Sequence, residues 1–138
     1  MDDTLVFSKE LGRLGYDVID CSSGGIDAER SRSVATALTR RPGFQVPFAT
    51  EIREKLGMRS MAVGLIVNPQ HADAIVAKEQ ADFVCLGREL LYNPQWPLHA
   101  AIELLGENAY DLWPPQYEWG LRKRAQWAAK YRAEMEGA

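Results

Sequence analysis

Apolar positions recur in short blocks along the chain, and their spacing alternates between helical and extended. Across residues 4–14, Leu5, Val6, Leu11 and Leu14, with Phe7 beside them, repeat at roughly helical intervals. Asp2, Asp3 or Thr4 is placed to cap the start and Gly15 to end the helix. Residues 16–22 then change character, because Val18 and Ile19 favour a strand and Ser22-Ser23-Gly24-Gly25 breaks the run as a loop. Residues 26–44 are polar and arginine-bearing and read as a long loop with one helical turn near 34–38.

The same unit then repeats. Phe48, Ile52 and Leu56 at i, i+4 and i+8 predict a helix over 46–57, with Pro47 in its first turn and Gly57 as its stop. A buried strand follows over 61–66. Asn68-Pro69 opens a third helix to about residue 79, Ala81-Asp82 turns the chain, and the wholly apolar run 83–86 reads as a strand buried on both faces. Helices alternating with short apolar strands imply parallel βα units, whose ligand sites gather at the carboxyl ends of the strands. Beyond them, 97–105 reads as a helix, 107–119 as an aromatic, Pro-rich connection, and 121–135 as a charged helix.

Composition narrows the function. With 138 residues the chain is too short for a complete eight-stranded α/β barrel, which needs roughly 200 or more. A formal charge of -3 argues against a nucleic-acid partner, and no apolar run approaches the length of a membrane span. The acidic N-terminus lacks the pattern of a signal peptide. Cys21 and Cys85 lie apart, with neither metal nor disulfide spacing, which fits a reducing cytoplasm.

The candidate chemistry sits at the strand ends. Gly64 and Gly87 each follow a strand, and a helical turn over 89–92 would aim free backbone N–H groups at the loop, a geometry suited to phosphate. Arg88 adds a guanidinium able to grip phosphate oxygens in bidentate fashion. The plainer alternative is that the glycines only turn the chain and Arg88 makes a surface ion pair. Ser22 and Ser23 are potential donors to a ligand, or simply strand terminators. His71 and His99 fall in helices away from the strand ends and read as surface histidines without metal partners. Asp20, inside a strand, calls for an ion pair with a neighbouring strand. The aromatic C-terminal part, with Trp113, Tyr117, Trp119 and Trp127, suits an interface.

Five segments together carry a family resemblance: DVIDCSSGG at 17–25, PGFQVPFATEIR at 42–53, AVGLI at 62–66, ADFVCLGRELLYNPQWPLHAA at 81–101, and WPPQY at 113–117. This chain resembles the C-terminal part of the Old Yellow Enzyme flavoproteins, most closely the bacterial YqjM-like, or thermophilic-like, ene-reductases. The resemblance implies an α/β fold forming about strands six to eight, with their helices, of a TIM (β/α)8 barrel. It divides the chain into a barrel part over 1–120 and a helical tail over 121–138. It implies FMN as cofactor, NADPH or NADH as reductant, and an activated alkene such as an enone as substrate.

By the same resemblance, Gly64, Gly87 and Arg88 cradle the FMN phosphate, and Ser23 and Gly24, with Ser22, lie near the cofactor. Phe44 and Gln45 fall in the matching GFQVPFA segment without an assigned contact. The family's substrate-gripping histidines, proton-donating tyrosine, redox-tuning cysteine and flavin-contacting glutamine come from earlier strands and have no counterpart here. Where the family places an arginine that reaches a neighbouring subunit, this sequence has Trp119, with Arg122 as the nearest substitute.

Isolated strands with unpaired edges are expected to associate, as a homo-oligomer or with the remaining barrel half. The basic stretch 121–138 is a candidate for mediating that assembly. A different class of reading, a stand-alone phosphate- or nucleotide-binding module or an inactive remnant, stays open beside the enzyme one.

Overall fold

The computed structural model describes residues 1–23 and 40–137. These form two compact units, residues 1–92 and 93–138, considered separately below. The helical turn expected near 34–38 lies outside the described residues.

The first unit is a three-stranded parallel sheet in the order β1-β2-β3 with helices between the strands: α1 (Asp2–Arg13), β1 (Val18–Cys21), α2 (Val46–Leu56), β2 (Arg59–Ala62), α3 (Pro69–Ala77), β3 (Phe83–Val84) and the short α4 (Arg88–Tyr92). Val18 pairs with Arg59 and Cys21 with Ala62, and Met61 and Ala62 pair with Phe83 and Val84. The α/β reading of the repeated pattern is therefore what the fold shows.

Strand alternation decides which face is covered. Cys21, Ser60 and Ala62 are buried on the side against which α2 packs. On the opposite face Asp20 and Arg59 are exposed, Met61 is half-buried, and Phe83 keeps 45% of its surface. The 83–86 run, expected to be buried on both faces, is thus covered on one only. Asp20 has no ion pair among the described residues, contrary to expectation, because its side of the strand meets solvent and needs no buried partner.

The core between sheet and helices is built from Ala49 and Ile52 of α2, Ala72 and Ile75 of α3, and Ala62, Ile66 and Ala81. Ile52 and Ile75 are fully enclosed, each worth about 1.5–3 kcal/mol in transfer free energy. In α1 it is Ser8 that is buried, while Val6 and Phe7, read as part of its apolar stripe, are exposed. Gly12 explains the choice of face. A Cβ there would meet the Met58 sulfur at 2.9 Å, so small residues make the close seam.

The strands end where backbone torsion ends them. β2 stops at Ala62, short of the expected 66, because Gly64 (φ +121°) and Leu65 (φ +54°) leave the extended region. β2 also starts two residues earlier than its hydropathy shows. Asp82 anchors that start, its Oδ2 accepting the Ser60 N–H at 2.9 Å and its Oδ1 the Arg53 guanidinium at 2.9 Å.

The second unit contains α5 (Trp96–Leu105), a 3₁₀ segment (Gly106–Leu112) and α6 (Pro115–Glu136). Trp96, Ala100 and Ala109 are its buried residues. The segment read as a connection to 119 becomes helical at Pro115, since proline at a helix start has the right φ and lacks only an N–H that would be unpaired anyway. Arg122 joins α6 to the 3₁₀ segment. It donates to Glu118, to Asp111 and to the Glu107 carbonyl at 3.1 Å, and lies 5.3 Å from the centre of the Tyr110 ring.

Candidate functional site at the strand ends

Because the three strands are parallel and adjacent, their carboxyl ends fall along one edge of the sheet, with Ser22 and Ser23 after β1, Gly64 and Leu65 after β2, and Gly87 and Arg88 after β3. The ladder runs one residue past β3, with the Cys85 N–H bonded to the Ala62 carbonyl at 2.7 Å.

The β2 end is closed. Gly64 is buried with a φ reserved for glycine, and a Cβ there would stand 3.0 Å from the Phe44 ring and 3.3 Å from the Gln45 nitrogen. The Gly64 carbonyl accepts the Gly43 N–H at 2.7 Å. Gln45 is buried, and its Nε2 donates to the carbonyl and to Oγ of Ser23, each at 3.2 Å. Residues 43–45 therefore touch the ends of both β1 and β2.

The β3 end is open. Nothing lies within 4 Å of a Cβ built on Gly87. Arg88 is exposed and has no ion pair among the described residues. The Gly87 carbonyl accepts from Leu90 and Leu91, while the N–H groups of Gly87 and Arg88 meet no acceptor among those residues. The expected Gly24 position lies outside the described residues.

Neither cysteine is prepared for chemistry. Burial, followed by the nearby Asp20 carboxylate, pushes the Cys21 thiol up to about 11, and the same two causes raise Cys85. Both stay protonated and weakly nucleophilic at neutral pH. No metal-binding group of His, Cys, Asp or Glu exists among the described residues.

The position of His71 differs from its sequence reading. His71 is half-buried, not a free surface group. Its ring lies 2.9 Å from where a Gly43 Cβ would be, and Gly43 is bonded to Gly64, so the histidine borders the strand-end loops it was expected to avoid. Arg122 is held by Glu118 first, then Asp111, which raises its affinity for its proton and commits its guanidinium within its own unit. His99 is exposed, as expected. Gln45 was the residue left without a role, and its only sequence signal is a lone amide in the otherwise apolar FQVPFA run.

Parallel βα units with a glycine at the ends of two strands, beside an arginine without an ion pair among the described residues, make the first unit an α/β structure with its strand ends on one sheet edge. The model of the NADH:flavin oxidoreductase / NADH oxidase family matches residues 1–106, and the chain belongs to that family, in agreement with the Old Yellow Enzyme resemblance of its motifs. An NADPH dehydrogenase of Geobacillus thermodenitrificans is 41% identical over 120 residues, covering 87% of this chain and 32% of the relative. An NADPH dehydrogenase of Halalkalibacterium halodurans is 38% identical over 115 residues, covering 80% and 32%. One from Listeria monocytogenes is 40% identical over 117 residues, covering 85% and 32%. The chain thus spans about a third of the length of the curated relatives it matches. The family's cofactor and reductant are FMN and a nicotinamide nucleotide. No helix among the described residues is long and apolar enough to cross a membrane.

Proposed function

We propose that this chain is the C-terminal part of an FMN-dependent ene-reductase and supplies its flavin phosphate site. In this reading β1, β2 and β3 are strands six, seven and eight of a (β/α)8 barrel. The exposed sheet face bearing Asp20, Met61 and Phe83 is the side that a closed barrel fills with side chains. The observation that carries the reading is the β3 end, where an open glycine, backbone N–H groups and an arginine without partners among the described residues stand together.

The residues present fit a phosphate. Gly87 lets an anion approach the backbone closely, its N–H and that of Arg88 are available to phosphate oxygens, and the Arg88 guanidinium offsets the charge. Gly64 contributes a fixed loop beside them, and Ser23 borders the cofactor from the end of β1. When bound, FMN supplies hydride transfer from NADPH or NADH to the β-carbon of an activated C=C bond, a proton completing the reduction. This chain binds and orients the cofactor, while proton transfer and substrate grip belong to residues outside it.

The test is a flavin titration of the 138-residue chain followed by flavin fluorescence, with FMN and riboflavin in parallel. Arg88→Ala is expected to weaken FMN binding at least tenfold, the size of a lost charge-assisted bond, and to leave riboflavin binding unchanged. Equal FMN affinity in the variant and the parent would sink the assignment of Arg88. A folded chain that binds neither flavin would show that the other strands are needed even to hold the cofactor.

A further inference from the structure

We infer that Gln45 is the positioning residue of the flavin end, pinning the carboxyl end of β1 to the Gly64 loop and so setting flavin affinity without touching the flavin. The inference rests on the cofactor reading above. It starts from a residue out of place. Gln45 occupies the N-cap of α2, where Ser, Thr, Asp or Asn normally turn their side chains onto the helix's own N–H groups. The Gln45 side chain makes no such bond. It reaches Ser23, 22 residues earlier in the chain, and gives Nε2 to both the carbonyl and the hydroxyl oxygen.

An amide that keeps only 6% of its surface is costly to bury unless it is bonded, so this pairing is structurally enforced. The same three residues close on the second strand end. Gly43 donates to the Gly64 carbonyl at 2.7 Å, and the Phe44 ring and Gln45 nitrogen occupy the space a Gly64 side chain would need. Residues 43–45 are therefore a clip across two strand ends, and Gln45 supplies its polar side chain. Loss of the donor frees Ser23 at the end of β1, while the buried contacts of Val46, Ala49 and Ile52 that hold α2 remain. Fixing a binding segment in advance removes an ordering cost from ligand binding.

The experiment uses Gln45→Glu and Gln45→Met in the 138-residue chain, with FMN as probe, the ligand whose phosphate this chain is argued to hold. Affinity is read by fluorescence and ring environment by the visible circular dichroism of the bound flavin. Gln45→Glu and Gln45→Met are expected to bind roughly five- to tenfold more weakly, with an altered dichroic band. Acidification should restore Gln45→Glu, since a protonated carboxyl again donates to the Ser23 carbonyl, and should not restore Gln45→Met. Parent-like affinity and dichroism in folded Gln45 variants would overturn the inference and leave the flavin reading standing. If Gln45→Met does not fold, Gln45→Glu decides alone, affinity and dichroism recovered on acidification supporting the clip and values unchanged between neutral and acid pH refuting it. A parent chain that binds no flavin refutes the inference that Gln45 sets flavin affinity in this chain.

Discussion

The ends of β2 and β3 are neighbours on one sheet edge, and each carries a glycine, yet the two glycines stand in opposite surroundings. Gly64 is enclosed, has a φ of +121° and lies against Phe44 and Gln45, so its missing side chain is a requirement of the fold. Gly87 has empty space above it and belongs to a loop whose N–H groups and neighbouring arginine are unengaged among the described residues. An enclosed glycine and an open one look identical in a sequence. They separate only when the space around each is known.

Substitution breaks or sharpens that contrast. The largest effect is expected for Gly64→Ala, which combines a disallowed φ with a clash against the Phe44 ring and the Gln45 backbone. It should lower stability by about 3 kcal/mol in urea denaturation, while Gly87→Ala should change it by less than about 1 kcal/mol. Equal losses at both positions would erase the distinction.

The next effect tests whether the opposite end of the sheet is equally closed. Asp82→Ala removes the acceptor of both Arg53 and the Ser60 N–H and should cost about 2 kcal/mol, again by urea midpoint, with flavin binding by the folded fraction unchanged.

The smallest effect concerns the β1 end and pH. The Cys21 thiol is raised from an ordinary value of 9.0 to about 11, so the unfolded chain releases its proton first as pH rises. Stability supplied by the protonated, buried thiol is complete below about pH 9 and declines as pH approaches 11. Urea midpoints at pH 8 and pH 10.5 should fall further apart in the parent than in Cys21→Ala.

Local chemistry accounts for what the sequence made legible. The spacing of Phe48 and Ile52, with Pro47 at the start and Gly57 at the end, locates α2, and the structure has it at Val46–Leu56 with Gly57 at φ +63°. The strand-end glycines were visible for the same reason, because each interrupts an apolar run. The end of β2 was not, since Leu65 and Ile66 prolong the apolar run although the backbone has already left the sheet. Gln45 was missed because its partner lies far back along the chain, where no periodicity reaches. Phe83 was misjudged because hydropathy marks a surface suited to burial, and says nothing of whether this chain provides the cover.

The sequential strand order has one more implication, which concerns how freely the chain can vary in length. Residues 22–58 join β1 to β2 and residues 63–82 join β2 to β3, so the first connection is nearly twice as long as the second. Closure entropy grows only with the logarithm of length, and a doubling costs about 0.6 kcal/mol. A change of length therefore costs little in closure entropy by itself, and among the described residues it is the clip at 43–45 that returns the chain to Gly64.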